Sequence, residues 1–316
     1  MWQDLPSLTA LSGDAVGWIH AHLSAPCSAA VTVREAARST VVRLTCDDGV
    51  VYFKADHILP PPEAAVVGRL AKHNLGLVPR VVAVEETNGW SLTRDAGSTG
   101  PTSLEHASTD VWRAVARAFG TLQRNTGLGP DDWVTVGCRD LRGPKLFEAF
   151  CALLEHASAL SDPGLDASDR EALQRLLPRI EEACSDLMSD GVPATLVHQD
   201  LVPENLIWNA GQVVFLDWSD TVVGHPFFGL DRLLDSCWND SERKAAVIGD
   251  YIARFQDFAP AERLQQSVDR VLWLRVLYED LRWHHEILAL PPASEQAQRL
   301  RLDQLHGLRM VAQRPS

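Results

Sequence analysis

The sequence predicts an α+β chain of two lobes: a small antiparallel-sheet lobe over residues 1–93, a hinge at 94–100, and a larger, mainly helical lobe over 101–316. Its first third holds β-branched runs split by glycine-containing turns, whereas the remainder carries apolar residues mainly at helical spacing. With 316 residues and 46% hydrophobic positions, each lobe can bury a core of its own. No internal repeat or low-complexity segment is present, which removes solenoid architectures.

The elements follow in order. Val31 to Val33, Ser39 to Cys46 and Val50 to Lys54 read as strands, the last two joined through Asp47-Asp48-Gly49 as a hairpin. After Pro60-Pro61-Pro62 the period becomes helical from Glu63 to His73, with Val66, Val67, Leu70 and Ala71 on one stripe and a stop at Asn74-Leu75-Gly76. Val78 to Glu85 and Trp90 to Arg94 return to strand. Helices are expected over Val111 to Arg124, Lys145 to Leu160, Asp169 to Ser189, after Asn239, and over Leu264 to Leu290 and Glu295 to Val311. Ser168 with Glu171, and Asn239 with Glu242, have capping-box spacing, and Pro178 should kink or split its helix. Thr195 to Val197, Leu206 to Trp208 and Val213 to Leu216 are short apolar runs between polar turns.

Composition narrows the function. The net charge of -13 repels a phosphate backbone, so no nucleic-acid partner is expected. No apolar run is long enough to span a membrane and Met1-Trp2-Gln3-Asp4 does not open a secretion signal, so a soluble, cytoplasmic protein, monomer or homodimer, is expected. The cysteines at 27, 46, 138, 151, 184 and 237 have no CxxC pair and read as small apolar fillers, which disfavours structural zinc and a disulfide framework.

Chemistry concentrates in His198-Gln199-Asp200-Leu201-Val202-Pro203-Glu204-Asn205 and in Asp217, at the end of the next apolar run. A polar loop between short apolar strands needs partners for its carboxylates, and Mg²⁺ suits an Asp/Asn pair. Phosphoryl transfer uses those groups: one carboxylate to orient and deprotonate the attacking hydroxyl, and Asn plus Asp oxygens to hold the metal against the phosphates. Lys54 is the one lysine, of four in the chain, placed in an expected strand.

These residues resemble the aminoglycoside phosphotransferase and choline kinase family, whose signature is HxDxxxxN followed by a hydrophobic strand ending in Asp; the ordered match runs over roughly residues 34 to 235. The resemblance implies a bilobal protein-kinase-like fold, ATP or GTP between the lobes, and Mg²⁺ as cofactor. It implies Asp200 as the catalytic base, Asn205 and Asp217 as metal ligands, and His198 as a structural residue beneath the loop. Lys54, oriented by Glu63, would clamp the nucleotide phosphates. Trp90 to Asp95 resembles the hinge, which brings in Leu92 and Arg94, and Ser39 and Thr40 of the covering loop Arg34 to Thr40, which has no glycine, would meet the phosphates. Asp231 would either buttress the catalytic loop or cap the helix that follows.

For the acceptor, Trp273, Leu277, Asp280 and His284 share one helical face, and Asp280, Trp273 and His284 are its candidate contacts. The implied reaction moves the γ-phosphoryl group of ATP or GTP to a hydroxyl of an antibiotic or sugar-like natural product. A metabolic kinase of an amino sugar or amino alcohol, and a nucleotide-binding pseudokinase acting as an interaction module, are the alternatives. A protein kinase is disfavoured by the short stretch between Asp217 and Leu230.

Overall fold

The computed structural model describes residues 8, 11–57, 63–73, 76–97, 104, 107–159, 164–209 and 211–314. Five antiparallel strands, β1 (Cys27–Glu35), β2 (Ser39–Cys46), β3 (Gly49–Asp56), β4 (Val81–Glu85) and β5 (Trp90–Arg94), form one sheet in the order β1-β2-β3-β5-β4. Alternation along them buries Val42, Leu44, Val51, Phe53 and Leu92 on one face, under Ile19 of helix α1 (Gly13–His22). The sequence reading had no α1, whose Gly13 and Gly17 dilute the helical signal. Helix α2 (Glu63–His73) turns Val66, Val67 and Leu70 into the core of the large lobe instead, and that seating carries Glu63 to the interface between lobes.

Cys27 and Cys46 stand opposite each other in the β1–β2 register and are joined by a disulfide. This corrects their reading as apolar fillers: the partners lie 19 residues apart and are brought together by hairpin register, which local cysteine spacing does not display. Cys138, Cys151, Cys184 and Cys237 are free thiols, and burial pushes Cys138 and Cys184 up to about 12.

The large lobe is built from α3 (Thr109–Arg124), α4 (Pro130–Val136), α5 (Pro144–Ala159), α6 (Ala167–Ser189), α7 (Leu230–Leu233), α8 (Ser241–Ile252), α9 (Ala261–Ala289) and α10 (Glu295–Ala312). α6 runs past Pro178 without the split that was one of the two expected outcomes, and Leu173, Leu176, Ile180 and Leu187 stay buried on both sides of the proline. The caps also shift: Asp166 accepts from Asp169 N at 2.8 Å and Asp240 from Arg243 N at 2.9 Å, in place of Ser168 and Asn239. The expected stop at Asn74-Leu75 and hinge residues 98–100 lie outside the described residues. Among the described residues no helix is long and apolar enough to cross a membrane.

Short strands position the polar loop. β7 (Thr195–His198) pairs antiparallel with β10 (Thr221–Gly224), which also pairs in parallel with β6 (Arg139–Asp140); β8 (Leu206–Asn209) and β9 (Gln212–Phe215) form a separate hairpin. The chain from 199 to 205 and the chain from 216 to 220 therefore emerge side by side.

Asp280 is not at that junction. It is fully buried where α9 meets α10, with neither carboxyl oxygen hydrogen-bonded, and a Cβ on Gly307 would lie 2.7 Å from its Oδ1. Burial, with a smaller contribution from the Glu279 charge, raises its pKa well above the usual carboxylate range. A raised folded-state pKa gives stability that is complete below the unfolded value near 4 and is lost as pH rises toward the folded one, at about 1.4 kcal/mol per pH unit. Asp280→Asn should flatten that slope, matching wild type near pH 4 and melting higher at pH 8. Thermal melts over this pH range check it, and unchanged slopes would refute the buried proton.

Candidate active site

Lys54 projects from β3 into a ring of carboxylates. Its Nζ donates to Glu63 Oε2 and, at 2.8 Å, to Asp217 Oδ1, and lies 3.9 Å from Asp56 Oδ1. Burial works against this ammonium, but Glu63, Asp217 and Asp56 outweigh it and hold Lys54 above its ordinary range. Three carboxylates around one cation leave negative charge in excess. Burial, reinforced by Asp217 and Asp56 and opposed by Lys54, pushes Glu63 up to about 7. Asp217 goes the other way: burial opposes its charge, but Lys54 and a 2.8 Å bond from Ser219 keep it well below the usual range. Glu63 Oε1 also accepts from Trp218 N at 3.1 Å, which ties α2 to the Asp217 turn.

Asp217 has φ 57° and ψ 70°, the one non-glycine residue with positive φ among the described residues. Such a conformation is uncommon outside glycine and Asn/Asp, and here it aims the carboxylate at Lys54. On the neighbouring loop, Asn205 Nδ2 donates to Asp200 O at 2.8 Å and to Asp200 Oδ2 at 3.2 Å, leaving Oδ1 as the amide atom for a cation. Asp200 Oδ1 lies 3.3 Å from Arg282 Nη1 and 3.6 Å from Arg232 Nε. His198 is buried and kept neutral by that burial; its Nε2–H donates to Leu216 O at 2.8 Å and its Nδ1 accepts from Asp200 N at 3.2 Å. Both ring nitrogens serve backbone.

Two cavities meet at these residues. One, of about 330 Å³, has apolar walls from Val33, Val41, Ile207 and Leu216 and a polar end at Lys54, Glu63 and Asp217. The other, of about 320 Å³, is lined by charged groups including Arg38, Asp200, Asp220, Arg282 and Glu286. Asn205, Asp217 and Arg34 line both.

A model of the phosphotransferase enzyme family matches residues 30–265, most of the chain. The chain belongs to that family. The fold of this phosphotransferase is protein-kinase-like, as solved structures show: a macrolide 2'-phosphotransferase from Brachybacterium faecium superimposes with TM-score 0.63 at 16% identity, covering 96% of this chain and 98% of that one. A choline/ethanolamine kinase family protein from Mesorhizobium loti gives 0.61 at 17%, covering 98% and 97%. A spectinomycin phosphotransferase in complex with ADP and spectinomycin gives 0.62 at 10%, covering 94% and 95%. Among curated proteins no relative matches in sequence.

In the phosphotransferase, Ser39 and Arg94 also line the cavities, although the Arg94 guanidinium is held by Asp48 at 2.6 Å. Four expected contacts are corrected by placement. Thr40 Oγ1 bonds His57 Nε2 at 2.9 Å and lines neither cavity, and Leu92 is buried in the small-lobe core while Ser91 and Thr93 face the cleft. Alternation in β2 and β5 explains both. Trp273 packs with Arg179 in a separate surface groove, and His284 meets His156 edge-on. With Asp280 buried, the α9 face expected to meet the acceptor points elsewhere. Asp231 pairs with Arg275 of α9, Nε to Oδ1 at 2.8 Å, and burial pushes it up to about 7 against that arginine.

The cleft-facing residues of α9 are Arg282 and Glu286, one turn apart, and the sequence reading missed them along with Asp220 and Arg38. Their signal was a charged stripe at i, i+4, on the flank of a helix read for its aromatic face.

Proposed function

We propose that this phosphotransferase moves the γ-phosphoryl group of ATP or GTP to a hydroxyl of a small molecule, an antibiotic or sugar-like natural product. The observation that carries the reading is the convergence of Lys54, Asp200, Asn205 and Asp217 where the two cavities meet. The apolar cavity suits a purine, with Lys54 placed for the α/β-phosphates and Glu63 orienting it. Asp200 then faces the second cavity, where it can orient an acceptor hydroxyl and take its proton as the oxygen attacks phosphorus. Among the described residues no group of three or more His, Cys, Asp or Glu side chains could hold a metal by itself. Mg²⁺ leans on one or two protein oxygens plus phosphates, and Asp217 and Asn205 Oδ1 would supply the protein oxygens. Bound there, Mg²⁺ would neutralise charge on the phosphates.

The charged cavity supports a hydroxyl acceptor that also bears an amine, because Asp56, Asp200, Glu204, Asp217, Asp220 and Glu286 outnumber Arg34, Arg38 and Arg282 in its lining. That balance also keeps an amino sugar or amino alcohol kinase in view. A mass-shift screen for a gain of about 80 Da, with ATP and GTP against aminoglycosides, macrolides, amino sugars and amino alcohols, tests the reading. No phosphorylated product and no nucleotide binding would refute it.

Lys54→Met should weaken nucleotide binding at least roughly tenfold by removing the phosphate clamp. It also strips the counter-ion from Glu63, Asp56 and Asp217, so their folded-state pKa values rise and the variant should lose stability as pH increases. Nucleotide titration with melts at pH 6 and pH 8 checks both. A variant with wild-type affinity would make the lysine structural.

A further inference from the structure

The turn between β1 and β2 hangs over the junction of the two cavities, and its backbone is committed to the hairpin: Ala36 N donates to Ser39 O at 3.0 Å, and Arg38 O accepts from His57 N at 2.7 Å. Residues 34 to 40 contain no glycine, so every residue there carries a Cβ that limits how closely backbone can approach a phosphate. What the turn does present is two guanidinium groups. Arg34 Nη1 lies 3.5 Å from Asp217 Oδ2. Arg38 crosses from the small lobe to the large one, gripping Asp220 with both terminal nitrogens, Nη2 to Oδ1 at 2.5 Å and Nη1 to Oδ2 at 3.3 Å, and reaching Glu286 Oε2 of α9 at 3.2 Å.

We propose that Arg38 is a γ-phosphate ligand, a built-in clamp that exchanges Asp220 for the terminal phosphate when a nucleoside triphosphate fills the cleft. The inference rests on the phosphotransferase reading above. Its geometry is specific. A nucleotide with its base in the apolar cavity passes its phosphates by Lys54 and then by Asn205, Asp217 and Arg34, which belong to both cavities; only the terminal group enters the charged cavity, the one that Arg38 lines together with Asp200. The planar fork that now holds a carboxylate bidentately matches a phosphate in the same way. Asp220, released, keeps Arg282 at 3.5 Å as a partner, so the exchange leaves no buried carboxylate alone. Because the fork also touches α9, the γ-phosphate would be registered against the helix that walls the acceptor side.

The test compares calorimetric affinities for ADP, GDP and the non-hydrolysable triphosphates AMP-PNP and GMP-PNP, with Mg²⁺, in wild type, Arg38→Ala and Arg38→Lys. Arg38→Ala should weaken the bound triphosphate roughly 10- to 100-fold and leave the diphosphate within about twofold. Arg38→Lys, which keeps the charge and loses the fork, should fall between and serves if the alanine variant folds poorly. Equal loss for di- and triphosphate, or no loss for either, would overturn the proposal and make Arg38 a lobe-to-lobe tie. Wild-type protein that binds neither class would overturn it together with the phosphotransferase reading.

Discussion

Asp200→Asn should lower turnover by roughly 100- to 10,000-fold while nucleotide affinity stays within about threefold of wild type. The substitution removes the carboxylate that the His198–Asn205 loop sets against Arg282 in the charged cavity, leaves Glu204 as that loop's other carboxylate there, and removes little else. Asn at this position still offers an oxygen to Asn205 Nδ2, now 3.2 Å away, and the bonds of the residue 200 backbone, its N–H donating to His198 Nδ1 and its O accepting from Asn205 Nδ2, do not depend on the carboxylate. Arg282 loses a partner at 3.3 Å but retains Asp220. Fold and donor site should therefore persist while proton removal from the acceptor fails. Single-turnover phosphorylation of an acceptor found in the mass-shift screen is the measurement, and turnover within about threefold of wild type would remove Asp200 from the chemistry.

Asp217→Asn should cost a comparable factor, of roughly 100-fold or more in rate, by another route. Asn tolerates positive φ, so the turn at φ 57° keeps its shape and the effect is chiefly one of charge. Wild type should bind nucleotide much more tightly with Mg²⁺ than with EDTA; the variant should show nearly the same affinity in both. The stability signature is also defined. Asp217 has a depressed pKa, and so contributes stability above the unfolded carboxyl value near 4 that is lost as pH falls through the folded one. The variant forfeits that contribution at neutral pH, so its melting temperature should approach that of wild type in acid. A variant that keeps the full Mg²⁺ dependence would move the metal ligand elsewhere.

What could be read from the sequence was what is local in it. Asp200 and Asn205 sit five residues apart on a loop bracketed by apolar runs, and their contact at 3.2 Å is a property of that loop alone. The small-lobe hairpin and the long helices were legible for the same reason: period and turn residues lie within a dozen positions. Arg38 and Asp220 stand 182 residues apart, and neither has a neighbour that marks it. The aromatic face of α9 misled because Trp273, Asp280 and His284 do share a side, but periodicity shows which residues share a face and not which face meets the cleft. β6 has two residues, too short for alternation to register.

The disulfide has a mechanical meaning for the turn that carries Arg38. Cys27 and Cys46 lock the end of the β1–β2 hairpin remote from the cleft, and the ladder is irregular both beside that bond, between Cys27 and Ala29, and close to the tip, between Thr32 and Arg34. A strand that slips by one residue reverses the direction of every side chain on it, and the covalent bond forbids that slip. The hairpin is thus pinned covalently at its base, where the ladder alone is irregular. The aim of Arg34 and Arg38 at one end of the pair of strands therefore depends on a bond at the other.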